Sequence, residues 1–193
     1  MTAADVTYDG TEWAETDPFT GNYVYPGGEN SFVCGYSNTV CGQNAFATGT
    51  QNRAFGRNSH VEGYNTTTYS ADGHAEGDST IAVGKNTHAE GDSSIAYDEG
   101  SHAEGRDTQA LGHYSHAEGN GTIAGEKDHP SSGAHAEGWE TKAIGNYGSH
   151  AEGWNTEATE IASHAEGCET KATAAYAHAE GYMAEAKAFG SHA

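Results

Sequence analysis

The chain has 193 residues, with 28 acidic and 8 basic side chains and 12 histidines, for a formal charge of −20. It holds one Leu, five Ile, six Val and five Phe, too few for the layered core of an ordinary α/β enzyme domain. No stretch approaches the ~20 apolar residues of a membrane span, and so acidic a surface disfavours contact with a nucleic-acid backbone. What remains is a disordered chain, or a fold that needs no bulky core.

Residues 1–30 carry no repeat. They are acidic, with Tyr8, Trp13, Phe19, Tyr23 and Tyr25 spaced along them. They read as a cap over the first turn of the remaining chain, or as a segment that docks onto a virion or another fibre module. Their start, Met1-Thr2-Ala3-Ala4-Asp5-Val6, has neither the basic region nor the apolar stretch of a secretory signal.

From residue 31 onward the chain is periodic. His-Ala-Glu-Gly begins at His74, His88, His102, His116, His135, His150, His164 and His178, with a Val variant at His60 and a short copy at His192. Most spacings are 14; projected backwards, the register places Phe46 and Phe32 at the His position. The reading is a domain of eleven coils plus a partial coil over 31–193. Low-complexity tracts do not hold such a register, so disorder is set aside.

Each coil divides into two sevens of the form [Ser/Thr]-x-Ala-x-Gly-x-x. Five alternating residues and then a two-residue connection predict a short strand and a turn. Recurrent Gly, at about 1 kcal/mol each relative to Ala, argues against helix. The fold class is therefore all-β: a parallel β-roll or β-solenoid with 14-residue coils. The late coils carry Lys142, Glu157, Lys171 and Glu185 at one varying position, and freely alternating charge marks a solvent side. Ser, Thr, Ala and Gly are then expected inside. Glu160, standing where Gly is expected, breaks the rule.

The same assignment turns His and Glu of each coil outward; the alternative is that they line the roll interior. The ladder comprises His60 and Glu62, His74 and Glu76, His88 and Glu90, His102 and Glu104, His116 and Glu118, His135 and Glu137, His150 and Glu152, His164 and Glu166, and His178 and Glu180. Unpartnered carboxylates ~4.8 Å apart repel by roughly 0.9 kcal/mol per neighbour in water. A His two residues earlier lies on the same face. A His–Glu hydrogen bond would relieve the repulsion and raise the His pKa. An outward face that stays constant asks for a partner surface, the simplest being other copies of the chain, with three rolls turning this sheet inward. The ladder is read as structural. A pair repeated nine times does not look catalytic, and no metal or other cofactor is expected.

The coil from 115 carries five extra residues, within 125–133, which predict a loop. Trp139 and Trp154 share one position in consecutive coils, and Tyr182 holds it two coils later. These three are the candidates for contact with a receptor or glycan. Tyr114 and Tyr176 close their coils, and Tyr147 falls next to last in a coil with one extra residue. Cys34, Cys41 and Cys168 are odd in number and scattered, which argues against a disulfide framework or a zinc site. Cys34 and Cys41 would lie on opposite outer faces.

The run Asn58-Ser59-His60-Val61-Glu62-Gly63, with Ala82 and Gly84 in the later half of the next coil, resembles the head repeats of YadA-like trimeric autotransporter adhesins. The S-H-A-E-G form also resembles repeats of phage tail-fibre and prophage proteins associated with a peptidase G2-type domain. The resemblance covers about 31–193. It implies a left-handed β-roll, a homotrimer and a role in attachment. With no visible secretory signal, the first expectation is a non-enzymatic shaft or head of a phage tail fibre, located in the virion. It would bind a host cell-surface receptor or glycan, without nucleic acid or membrane insertion. The alternatives are the head of a bacterial surface adhesin and a carbohydrate-active tail spike.

Overall fold

Gly and Asn recur where a chain of short strands must turn. In the computed structural model, which describes residues 6–8, 21–24, 28–127 and 133–193, the backbone enters the left-handed region at these places. Asn30, Asn44, Asn58, Asp72 and Asn86 have φ of 55–61°, and Ser37, Gln51, Asn65, Ser79 and Ser93 take the same conformation midway between them. Short polar side chains tolerate it because they hydrogen-bond locally. A corner every seven residues closes one coil in fourteen.

The chain packs as two compact units, Met1–Ser93 and Ser94–Ala193. In the first, five long strands (Ser31–Tyr36, Phe46–Thr50, His60–Tyr64, His74–Asp78 and His88–Asp92) pair in parallel, each residue beside its equivalent fourteen later. Val6–Tyr8 pairs antiparallel with residues 31–33 and covers that edge. A second sheet is built of two-residue strands from Tyr23–Val24 to Ile81–Ala82. The second unit repeats the plan. Its long strands run from His102–Arg106 to His178–Tyr182, and its short ones from Ile95–Ala96 to Glu185–Ala186. Counting long strands from Ser31–Tyr36 onward gives eleven coils. The second seven forms only two strand residues rather than five.

The interior is small and partly polar. Val33, Ala47, Val61, Ala75 and Ala89 of the long strands are fully buried, as are Val40, Ala54, Thr68 and Ala82 of the short ones. Ser at the first coil position is buried and caps the preceding corner. Ser59 Oγ donates to Gly56 O at 2.7 Å, Ser115 to Gly112 O at 2.6 Å and Ser163 to Glu160 O at 2.8 Å. At Gly112 and Glu160 the same carbonyl also accepts the backbone N–H of that Ser, so the hydroxyl and the amide close the corner together.

A column of Asn runs through the first unit, unanticipated from the repeat. The backbone N–H of Asn38 donates to Asn22 Oδ1, that of Asn52 to Asn38 Oδ1, and that of Thr66 to Asn52 Oδ1, each at 2.9 Å. The Asn52 amide in turn donates to Thr48 O at 2.6 Å and Gly63 O at 2.9 Å. Further along, the column becomes Thr. The hydroxyls of Thr122, Thr141, Thr156 and Thr170 are buried without a hydrogen-bond partner.

One expectation needs correction. The Gly of each His-Ala-Glu-Gly is half-buried, or at Gly181 exposed, rather than interior. It is there because its φ is 103–120°, and because a Cβ at Gly77, for example, would run into the carbonyl of Gly91. In the second seven, Gly145 is held by sterics alone: a Cβ there would strike the carbonyl of Glu160. The side chain of Glu160 is itself exposed, so the position admits a residue other than Gly.

Candidate functional site

The long strands place the ladder. Because side chains alternate along a strand, burying Ser and Ala at the first and third coil positions turns His and Glu out to the second and fourth. In-register parallel pairing then stacks like on like. Within the first unit the rings of His60, His74 and His88 stack at 4.6–4.7 Å. In the second, those of His102, His116, His135, His150, His164 and His178 stack at 4.6–4.9 Å. Phe32 and Phe46 extend the first column, with Phe32 stacked on Phe46 at 5.1 Å and Phe46 edge-on to His60 at 4.6 Å.

Each Glu carboxylate lies 3.3–3.8 Å from the Nε2 of the His two residues before it. His60–Glu62, at 3.3 Å, approaches a hydrogen bond. The Nε2 atoms of His74, His116, His135, His150 and His164 are covered and make none. The expected rise in His pKa is overturned where a shift is resolved. Burial, reinforced by the neighbouring imidazoles, pushes His74 and His150 below the ordinary value, and the adjacent carboxylates offset this only in part. Desolvation and like charge along the stack outweigh one carboxylate held at contact distance.

Two aromatic columns flank the ladder. Trp139, Trp154, Cys168 and Tyr182 lie in register at the end of successive long strands. Trp139 and Trp154 are 52% and 51% exposed and Tyr182 is 69% exposed. Tyr36 and Tyr64 hold the same coil position in the first unit and are also exposed, a match that counting coil positions could have found. On the other side, Tyr114, Tyr147 and Tyr176 all occupy the left-handed corner, with φ of 53–58°. Tyr147 therefore matches the other two, and the extra residue of its coil is Gly148.

The five-residue insertion begins at a place the repeat does not duplicate. His113 Nδ1 lies 3.1 Å from Asp98 Oδ1, and Lys127 Nζ lies 4.3 Å from the centre of the Tyr97 ring. Neither pair was singled out from the sequence; each joins residues of different coils. Cys34, Cys41 and Cys168 are free thiols, and burial raises the Cys41 pKa. Among the described residues, one group brings ligand atoms of three side chains within 4.8 Å of one another: His178, Glu180 and His192. Among the same residues, no helix is long and apolar enough to cross a membrane.

Two copies of the YadA head domain repeat match the chain, at residues 75–97 and 103–124. No curated protein matches it. Both copies fall where the coils hold their 14-residue spacing without insertion, and they and the parallel roll support the same repeat architecture.

Proposed function

We propose that this YadA-like repeat β-roll protein is the head of a homotrimeric adhesin, displayed on a bacterial cell surface and acting without catalysis. The observation that carries the reading is the match of the YadA head domain repeat on a roll whose one uniform outward face is the His/Glu ladder. A rod assembled from copies of itself needs a surface that repeats from coil to coil. The ladder does so. The outward positions of the second sheet do not, passing from Arg53 through Ile81 to Lys142 and Glu157. The three rolls therefore meet through the His/Glu sheet; the proposed cap or docking segment, residues 1–30, lies mostly outside the described residues.

Attachment falls to the exposed aromatics Trp139, Trp154 and Tyr182. They offer broad, rigid, half-apolar contact area of the kind that dominates recognition of glycans and proteins. A phage tail-fibre role is the second reading, favoured by the S-H-A-E-G form of the repeat.

Light scattering tests the assembly. The expected mass is three times the 20.1 kDa of the chain, and a monomer overturns the trimer. Binding to a glycan array and to intact cells tests attachment. Trp139→Ala with Trp154→Ala is expected to abolish binding while leaving the mass unchanged. Undiminished binding removes those residues from the contact. Labelled antibody against the head, applied to producing cells and to any virions they release, separates the bacterial from the phage reading.

A further inference from the structure

We infer that His178, Glu180 and His192 form a binding site for a borderline divalent metal ion, of which zinc is the representative. Nine rungs carry the same residue types, yet the ligand atoms of two imidazoles and a carboxylate converge at only one place among the described residues. The reason is geometric. Elsewhere in the second unit the rings stack at 4.6–4.9 Å with interplanar angles of 1–29°. Parallel rings keep equivalent nitrogens a full strand spacing apart. Two imidazoles on one tetrahedral ion, each bonded at 2.0–2.1 Å, need nitrogens roughly 3.4 Å apart.

At the last rung His192 is tilted by 35° from His178 at a centroid separation of 4.8 Å, and the ligand atoms of His178, Glu180 and His192 lie within 4.8 Å of one another. His178 Nε2 and Glu180 Oε2 are already 3.4 Å apart, the separation of two ligands on one tetrahedral ion. That nitrogen makes no hydrogen bond. Glu180 and His192 are exposed, so a change of side-chain rotamer closes the remaining gap. Solvent supplies the fourth ligand. Two imidazoles and one carboxylate suit zinc, whereas magnesium demands an oxygen shell that the site lacks. All three ligands come from one chain, on the sheet that the proposed trimer turns inward.

Isothermal titration of the full chain with zinc chloride tests this. One tight zinc ion per chain is expected. His192→Ala and Glu180→Gln should each weaken binding at least tenfold, and magnesium chloride should give no comparable heat. The double substitution His116→Ala with Glu118→Gln, in mid-column, should leave the tight site intact. Circular dichroism on each variant confirms that the roll is retained. Zinc binding unaffected by His192→Ala overturns the site. So does a stoichiometry near nine that falls with any rung removed, or equal binding of magnesium, since either describes only a diffuse acidic and imidazole surface.

Discussion

His116 and His135 stack with their ring centres 4.9 Å apart and their planes 4° from parallel, although nineteen residues rather than fourteen separate them. Their strands pair in full register. The five extra residues therefore leave the stack in register. Deleting residues 127–131 restores the 14-residue spacing. It removes the contact of Lys127 with Tyr97. The expected change in unfolding free energy is within about 1 kcal/mol, checked by chemical denaturation. A large loss would mean that the loop supports the roll.

Interior polar columns respond in opposite ways to losing their polarity. Asn52→Ala strips partners from Thr48 O, Gly63 O and the Thr66 N–H at once. Buried groups left unpaired cost about 1–3 kcal/mol each, so a drop of at least about 2 kcal/mol is expected. Thr156 is equally buried, but its hydroxyl has no partner to lose. Thr156→Val keeps the shape and removes an unsatisfied group, and should stabilise by about 1 kcal/mol. Thermal unfolding of the two variants side by side checks both signs.

Backbone conformation sets a second pair of opposites. Gly77 has a φ of 110° and faces the carbonyl of Gly91, so Gly77→Ala should cost about 3 kcal/mol or more. Ala162 sits in the left-handed corner with a φ of 49°. Ala162→Gly relieves that strain against a smaller gain in unfolded-chain entropy, for a net gain of about 0.5 kcal/mol. Denaturation midpoints measured in one buffer test both.

The pH dependence comes from His74 and His150, which burial and neighbouring imidazoles hold below the ordinary His value. In the unfolded chain they titrate near the ordinary value of about 6.5. Between the folded and unfolded values, the unfolded chain binds the extra protons. The contribution of these groups is thus fully present above about pH 6.5 and is lost as pH falls through their folded values. Calorimetry from pH 8 down to 5 should show a flat thermal midpoint that then declines on the acid side, with a shallower decline in the His74→Gln, His150→Gln double variant. A midpoint that instead falls as pH rises above 7 would restore the opposite assignment, in which pairing with Glu raises the His pKa.

Period and composition are properties of the chain itself, and they were enough for the coil length, the parallel pairing of equivalent residues and the outward turn of the ladder. A side chain repeated every fourteen residues has to stack on its own copy, and small residues at alternate positions have to face inward. Other features depend on groups brought together from different coils. The Gly of each rung owes its place to a positive φ and a carbonyl in the next coil. Asn38 and Asn52 become a column only when their amides reach backbone groups above and below. The direction of the His shifts is settled by desolvation and by rings fourteen or fifteen residues away, and the grouping of His178, Glu180 and His192 by the bridge between His178 and His192. None of these is visible in a spacing, because each is a distance across the stack rather than along the chain.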